Sequence, residues 1–268
     1  MNTTPGIVLR SMSASLGKAG IPNLPAALAE KLELVERVSA SNAAFEHGTE
    51  GRLTTAVAEA LIAGTDPAAD SSVVEALAHH QLCYARSWDV ALADWRDGEK
   101  ARLLREWRDR LIAEWGGHVA TAGKRLAGAA RNLNLGTTLD EQSQNVLRVG
   151  GKAAAAWHEA YLAVGVIDNA VDAQSILIAF CESRSHANTA LLACPALTAH
   201  ESALLPDAPG RPGIRLADAW TLTCQGHTIT GSDYDTYKAA RIRNDDETAA
   251  GRKAEEARQE RARVTSAW

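Results

Sequence analysis

The sequence predicts a mainly α protein: a long antiparallel helical hairpin or bundle, then a small C-terminal β-hairpin and a charged terminal helix. Three observations predict it. Apolar side chains recur at three- and four-residue steps over most of the first 180 residues. Only 5% of the chain is aromatic within a hydrophobic share of 46% dominated by Ala and Leu, a usage that favours helices over sheets. Helix start and stop signals divide the pattern at regular places.

Residues 1–22 read as a flexible N-terminal arm, because the apolar run Ile7-Val8-Leu9 is too brief for a signal-peptide core. A helical bundle is expected over 23–204. It opens at Asn23-Leu24-Pro25, where Pro suits an early helical position. Leu28, Leu32, Val35, Val38 and Phe45 form its first stripe. Gly48 and Gly51 interrupt it, and Leu53, Val57 and Leu61 continue to a stop at Gly64-Thr65-Asp66-Pro67.

Ser72 and Glu75 have the spacing of a capping box, in which hydroxyl and carboxylate satisfy each other's backbone amides. A helical pattern then runs nearly to Asn134, with Leu77, Tyr84, Trp88 and Trp95 on heptad-like, coiled-coil steps and Leu104, Trp107, Leu111 and Trp115 after them. Gly98 and Gly116-Gly117 are its weak points. The glycines at 116, 117, 123 and 128 read as small residues that allow close helix approach. After a turn at 132–136, Thr138 and Glu141 form a second capping box, and Val146, Val149, Ala153, Trp157, Tyr161 and Val164 lead a stripe through Ile167 and Val171 to Phe180. Two such stripes joined by a short connection bury themselves most simply by folding back antiparallel.

Three prolines and two glycines mark 205–214 as a linker. In 215–268, Trp220 to Cys224 and His227 to Thr230 alternate apolar and Thr around Gln225-Gly226. That pattern predicts a hairpin with Trp220, Leu222, Cys224 and Ile229 on one face. Ser232 or Asp233 caps the last helix, whose charged part from Arg252 to Arg263 has no apolar stripe.

No linear motif points to catalysis: a nucleophile elbow, a phosphate loop and a dinucleotide fingerprint are all missing from the sequence. Cys181, Glu182, His186, Cys194 and His200 gather zinc-type ligands, yet without the close pairs of structural sites. Glu75, His79 and Cys83 share a helix face, but the Glu-x-x-His pairs of di-iron bundles are lacking. Arginines 96 to 131, interleaved with Trp107 and Trp115, could grip phosphates; the acids between them read instead as ion pairs on a solvated helix. Trp115-Gly116-Gly117 resembles the Trp-x-Gly turn of small secreted WXG-type helical hairpins. The likeness covers three residues without that family's Tyr-x-x-x-Asp/Glu signal, and no function is carried over from it.

The formal charge of −5 argues against a surface that wraps nucleic acid, and scattered cysteines suit a reducing cytoplasm or a particle assembled there. With no membrane, cofactor, metal or catalytic residue called for, the expectation is a non-enzymatic structural or assembly protein. It would act through helix contacts with protein partners as a homo-oligomer or in a larger assembly such as a phage virion. The interface candidates are Trp88, Trp95, Trp107, Trp115, Trp157, Trp220 and Ile229. The alternatives are a metal-binding or enzymatic bundle using His and Cys, and a nucleic-acid accessory protein.

Overall fold

In the computed structural model the backbone is described for residues 4–22, 24–46, 49–84, 86–149, 151–184, 187–205, 207–208, 211–215 and 218–266. Side chains of 39–50, 82–89, 144–145, 147–150, 206–217 and 260–268 lie outside the described set. The periodic stripes become helices: α1 (Pro5–Ala19), α2 (Ala26–Glu46), α3 (Thr49–Ile62), α4 (Ser71–Tyr84), α5 (Arg86–Ala130), α6 (Leu139–Val149), α7 (Gly151–Cys181), α8 (Thr189–Ala193), α9 (Ala199–Ala203), α10 (Ala219–Cys224) and α11 (Tyr234–Ser266). The chain divides into two compact units, residues 25–105 with 4–6, and residues 7–24 with 106–268.

In the larger unit, α5 and α7 lie antiparallel. Gln174 donates to the Ile112 carbonyl at 2.9 Å while Arg125 meets Glu159 at 2.5 Å, so positions rising along one helix meet positions falling along the other. The buried stripe of α7 is Ala156, Ala160, Ala163, Ile167, Ala170, Leu177 and Ile178. In the first half of α7 it is rotated by about one residue from the expected Trp157–Tyr161 line, because alanines let the backbones approach and leave the large rings at the margin, whereas Ile167, Val171 and Leu177 are buried on the expected stripe. By length and composition α7 also meets the requirement for a bilayer span; half of its most apolar window is buried in protein, as in a core helix.

Several expectations change. The stretch read as an arm is α1, whose Val8, Met12 and Leu16 are at most 2% exposed, and whose Ser15 donates to Asp172 of α7 at 2.6 Å. Three apolar residues in a row hid a helical stripe four residues apart. Gly98, Gly116 and Gly117 do not break α5, so the Trp-Gly-Gly likeness to a turn is overturned. The cap of α4 is Asp70, which accepts from the Ser72 and Val73 amides, instead of Ser72 itself. The Thr138–Glu141 box forms as expected, and Asp233 caps α11 by accepting from Thr236 at 2.7 Å.

The β-hairpin predicted over 220–230 does not form. Residues 219–224 are helix α10, capped by Asp218, which accepts from the Thr221 amide at 2.6 Å. Gly226, expected in a hairpin turn, takes φ +85 and ends α10, with His227 N–H bonding back to the Leu222 carbonyl. The only extended pairing among the described residues is Asp207–Ala208 against Arg211–Arg215, within the expected linker.

From Gly226 the chain crosses α5 as an extended strap. Gly116 and Gly123 sit one heptad apart under it, and a Cβ at either would fall under 3.0 Å from the carbonyl oxygen of Ser232 or of Ile229. A Cβ added to Gly231, at φ +66, would fall equally close to the Gly116 carbonyl oxygen. Thr230 and Gly231 amides donate to the Ala193 carbonyl, and Ser232 Oγ to Leu191, so the strap ties α5 to α8. Of the four glycines read as allowing close helix approach, Gly116 and Gly123 do admit a close neighbour, which is the strap and not a helix; a Cβ at Gly117 or Gly128 would meet nothing within 4 Å.

Candidate functional site

The seven apolar interface candidates separate by burial. Trp115 is fully buried, Trp220 is buried with its indole N–H donating to the Thr137 carbonyl at 3.0 Å, and Ile229 is buried over Gly123. Trp157 is half-buried, bonded to the Leu139 carbonyl and stacked on Tyr161 at 5.4 Å; Trp107 is half-buried with the Arg110 guanidinium 4.8 Å from its ring. These rings serve the fold of the larger unit. Trp95 keeps 44% of its surface exposed, and the Trp88 side chain lies outside the described residues.

The zinc-type residues that the sequence gathers do not form a metal-holding group among the described residues. His200 is exposed, Cys194 is buried, His186 lies outside the described residues, and Glu182 is engaged elsewhere. Among the described residues no group of three His, Cys, Asp or Glu is placed to hold a metal ion. Glu182, at the end of α7, takes Tyr234 O–H at 2.8 Å, Arg241 at 2.5 Å and Arg184 at 2.9 Å, while Arg108 lies 3.6 Å from the Tyr234 ring centroid. Burial would raise the Glu182 pKa, but the hydrogen bonds from Tyr234 and Arg241 outweigh it and hold the carboxyl below its usual range. Both carboxylate oxygens are used, so this network clamps α7 to α11.

Among the described residues the one strongly shifted carboxyl is Asp168 on α7. Its side chain keeps a rim of solvent contact, yet the protein around it raises its pKa to about 7, chiefly by burial. The hydrogen bond from the Ala219 amide opposes this and the charge of Asp218 adds to it. A carboxyl titrating near neutrality can give or take a proton. Its contacts place it at the start of α10, where Asp218 is the cap.

The smaller unit has a different surface. Residues 25–105 hold eight Lys or Arg against thirteen Asp or Glu, a formal −5 equal to that of the whole chain. Among its described residues six large apolar side chains are buried (Leu28, Leu32, Val35, Val73, Leu103, Leu104), whereas eight are exposed: Leu34, Val38, Leu61, Ile62, Val74, Leu77, Val90 and Trp95. Helices α3 and α4 pack on each other, and Ala60 of α3 and Val73 of α4 are buried. On one side of that pair is an open cleft of about 470 Å³, with Arg52, Thr55, Ala56 and Glu59 from α3 and Ser72, Glu75, Ala76 and His79 from α4. Glu75 and His79, read as one turn apart on a helix face, do share this wall.

The sequence reading missed this surface because it took Leu61 and Leu77 as core; the acidic balance of 49–84 was the available signal. Comparison with protein-family models, curated proteins and solved structures finds no match for the chain.

Proposed function

We propose that this is a non-enzymatic protein that works by helix-mediated contacts with other protein chains, made through residues 25–105. One observation carries the reading. Among described residues this unit exposes more large apolar side chains than it buries, eight against six, while the larger unit buries many and exposes Ile7, Leu135, Tyr161, Leu162, Leu204 and Ile242. Water-exposed apolar surface is worth roughly 25 cal/mol per Å² once covered, so a unit with this balance gains stability by docking. Helices with apolar groups on outward faces suit assembly better than a buried reaction centre.

Sedimentation of the full chain over a concentration series, together with hydrogen exchange, tests this. Two results support it: a mass that rises with concentration and falls toward monomer in Leu61→Ser/Ile62→Ser/Leu77→Ser, or a monomer whose 25–105 amides exchange far faster than those of 106–244. A monomer at every concentration with 25–105 as well protected as the rest would overturn it.

A further inference from the structure

The cleft between α3 and α4 has a specific chemistry. Its open volume comes from short side chains, since Gly51, Thr55, Ala56, Ser72 and Ala76 line it between the longer Arg52, Glu59, Glu75 and His79. The two glutamates come from opposite walls, and both are exposed to solvent. Ile62, 87% exposed and three positions after Glu59, lies by helical spacing on the same side of α3 beyond the cleft's lining. Residues 49–84 as a whole carry five acidic groups, Glu50, Glu59, Asp66, Asp70 and Glu75, against one Lys or Arg, Arg52, beside His79 and His80.

That balance selects among occupants. Two copies of an isologous interface present the same patch to each other, so a pair of these helix hairpins would bring like charges together. Phosphate backbones and anionic headgroups are repelled for the same reason. A cation is favoured, and the exposed Ile62 asks for greasy neighbours beside it. Side chains three and four residues apart on one helix supply that combination.

We propose that the α3–α4 cleft docks a basic amphipathic helical segment of a different protein, seating a Lys or Arg side chain between Glu59 and Glu75 and an aliphatic neighbour on Ile62. A cleft of about 470 Å³ admits one long basic side chain with part of its flanking residues. The proposal rests on the contact role of residues 25–105 and names the partner's chemistry.

The test is an amide NMR titration of the full chain with a synthetic 14-residue helix of Leu and Lys at helical spacing, beside a Leu/Glu counterpart and anionic vesicles. The Leu/Lys peptide is expected to shift signals in α3 and α4 and to bind more weakly as salt rises. Its affinity should fall at least tenfold in Glu59→Lys/Glu75→Lys, less in Glu59→Gln/Glu75→Gln, and stay unchanged in the α11 control Glu255→Lys/Glu256→Lys. Shifts centred elsewhere, equal affinity in the charge-reversed variant, or equal binding of the acidic peptide or the vesicles would overturn it. If the chain self-associates while neither peptide moves α3–α4 signals, this proposal fails and the contact role stands. A well-protected monomer that binds nothing removes both.

Discussion

Gly116 and Gly123 show how a single missing Cβ is used. Helix propensity alone favours Ala over Gly by up to about 1 kcal/mol, so Gly→Ala should stabilise an open helix position. Under the strap the reverse holds, because the neighbouring atoms are backbone carbonyls and cannot rotate away. Gly123→Ala and Gly116→Ala are each expected to destabilise by about 1–3 kcal/mol. Gly117→Ala and Gly128→Ala should be neutral or stabilising; urea midpoints compare the four, and equal behaviour would refute the close-approach account. Asp168 gives a second residue-level expectation. Its folded pKa of about 7 lies above the 3.8 of an unperturbed aspartate, so the folded state binds the proton more tightly. Its contribution therefore favours folding at low pH and is lost as pH rises between those two values. Carboxyls held low, such as Glu182 and Glu201, act oppositely and mainly below about pH 4.5. Denaturation at pH 5 and pH 8 should show wild type losing stability on that rise and Asp168→Asn losing less; identical profiles would contradict the burial of this carboxyl.

At the scale of elements, most helices were legible because their signals are local. Pro25, Gly64, Thr138–Glu141 and Asp233 each act within a turn of themselves, and the starts and stops they mark are found. The failures came where two local codes coincide. In 219–226 the alternation of Trp220, Leu222 and Cys224 with Thr reads as strand. The segment is helical because Asp218 caps it, Thr223 Oγ bonds back to the Ala219 carbonyl at 2.8 Å, and Gly226 closes it. A Gly with positive φ serves a turn or a helix end equally, so Gly226 alone does not decide; the Asp218 cap and the burial of Trp220 and Leu222 do. Of the candidate interface residues, spacing could say which lie on a stripe but not which stripe is covered. The charged end of α11 illustrates the converse. Residues 245–259 are exposed except for half-buried Ala249, and their ion pairs, such as Arg258 with Glu255 at 3.8 Å, are solvated and weak. Ending the chain after Ala250 is expected to change unfolding stability by less than about 0.5 kcal/mol while reducing the far-UV helix signal. A larger loss would mean that this helix packs on something.

For the whole molecule, the uneven distribution of apolar surface sets an expectation about cooperativity. Residues 106–268 with α1 have a continuous core of Met12, Leu16, Trp115, Leu126, Ile167, Leu177 and Tyr237, all at most 1% exposed, tied by the strap and by the buried Gln174 amide. Among its described residues, the unit of 25–105 rests on Leu28, Leu32, Val35, Val73, Leu103 and Leu104, with Leu34, Val38, Leu61, Ile62, Val74, Leu77, Val90 and Trp95 exposed. Burial of apolar area is the main term opposing chain entropy, so the two units should melt at different temperatures, the acidic one first. Truncating a core side chain costs about 2–5 kcal/mol, enough to move a transition by several degrees. Calorimetry of Leu28→Ala should therefore lower the first transition and leave the second in place, and Ile178→Ala should do the reverse. A single sharp transition shifted by both substitutions would show that the smaller unit draws its stability from the larger one, and its exposed apolar surface would then need no partner to account for it.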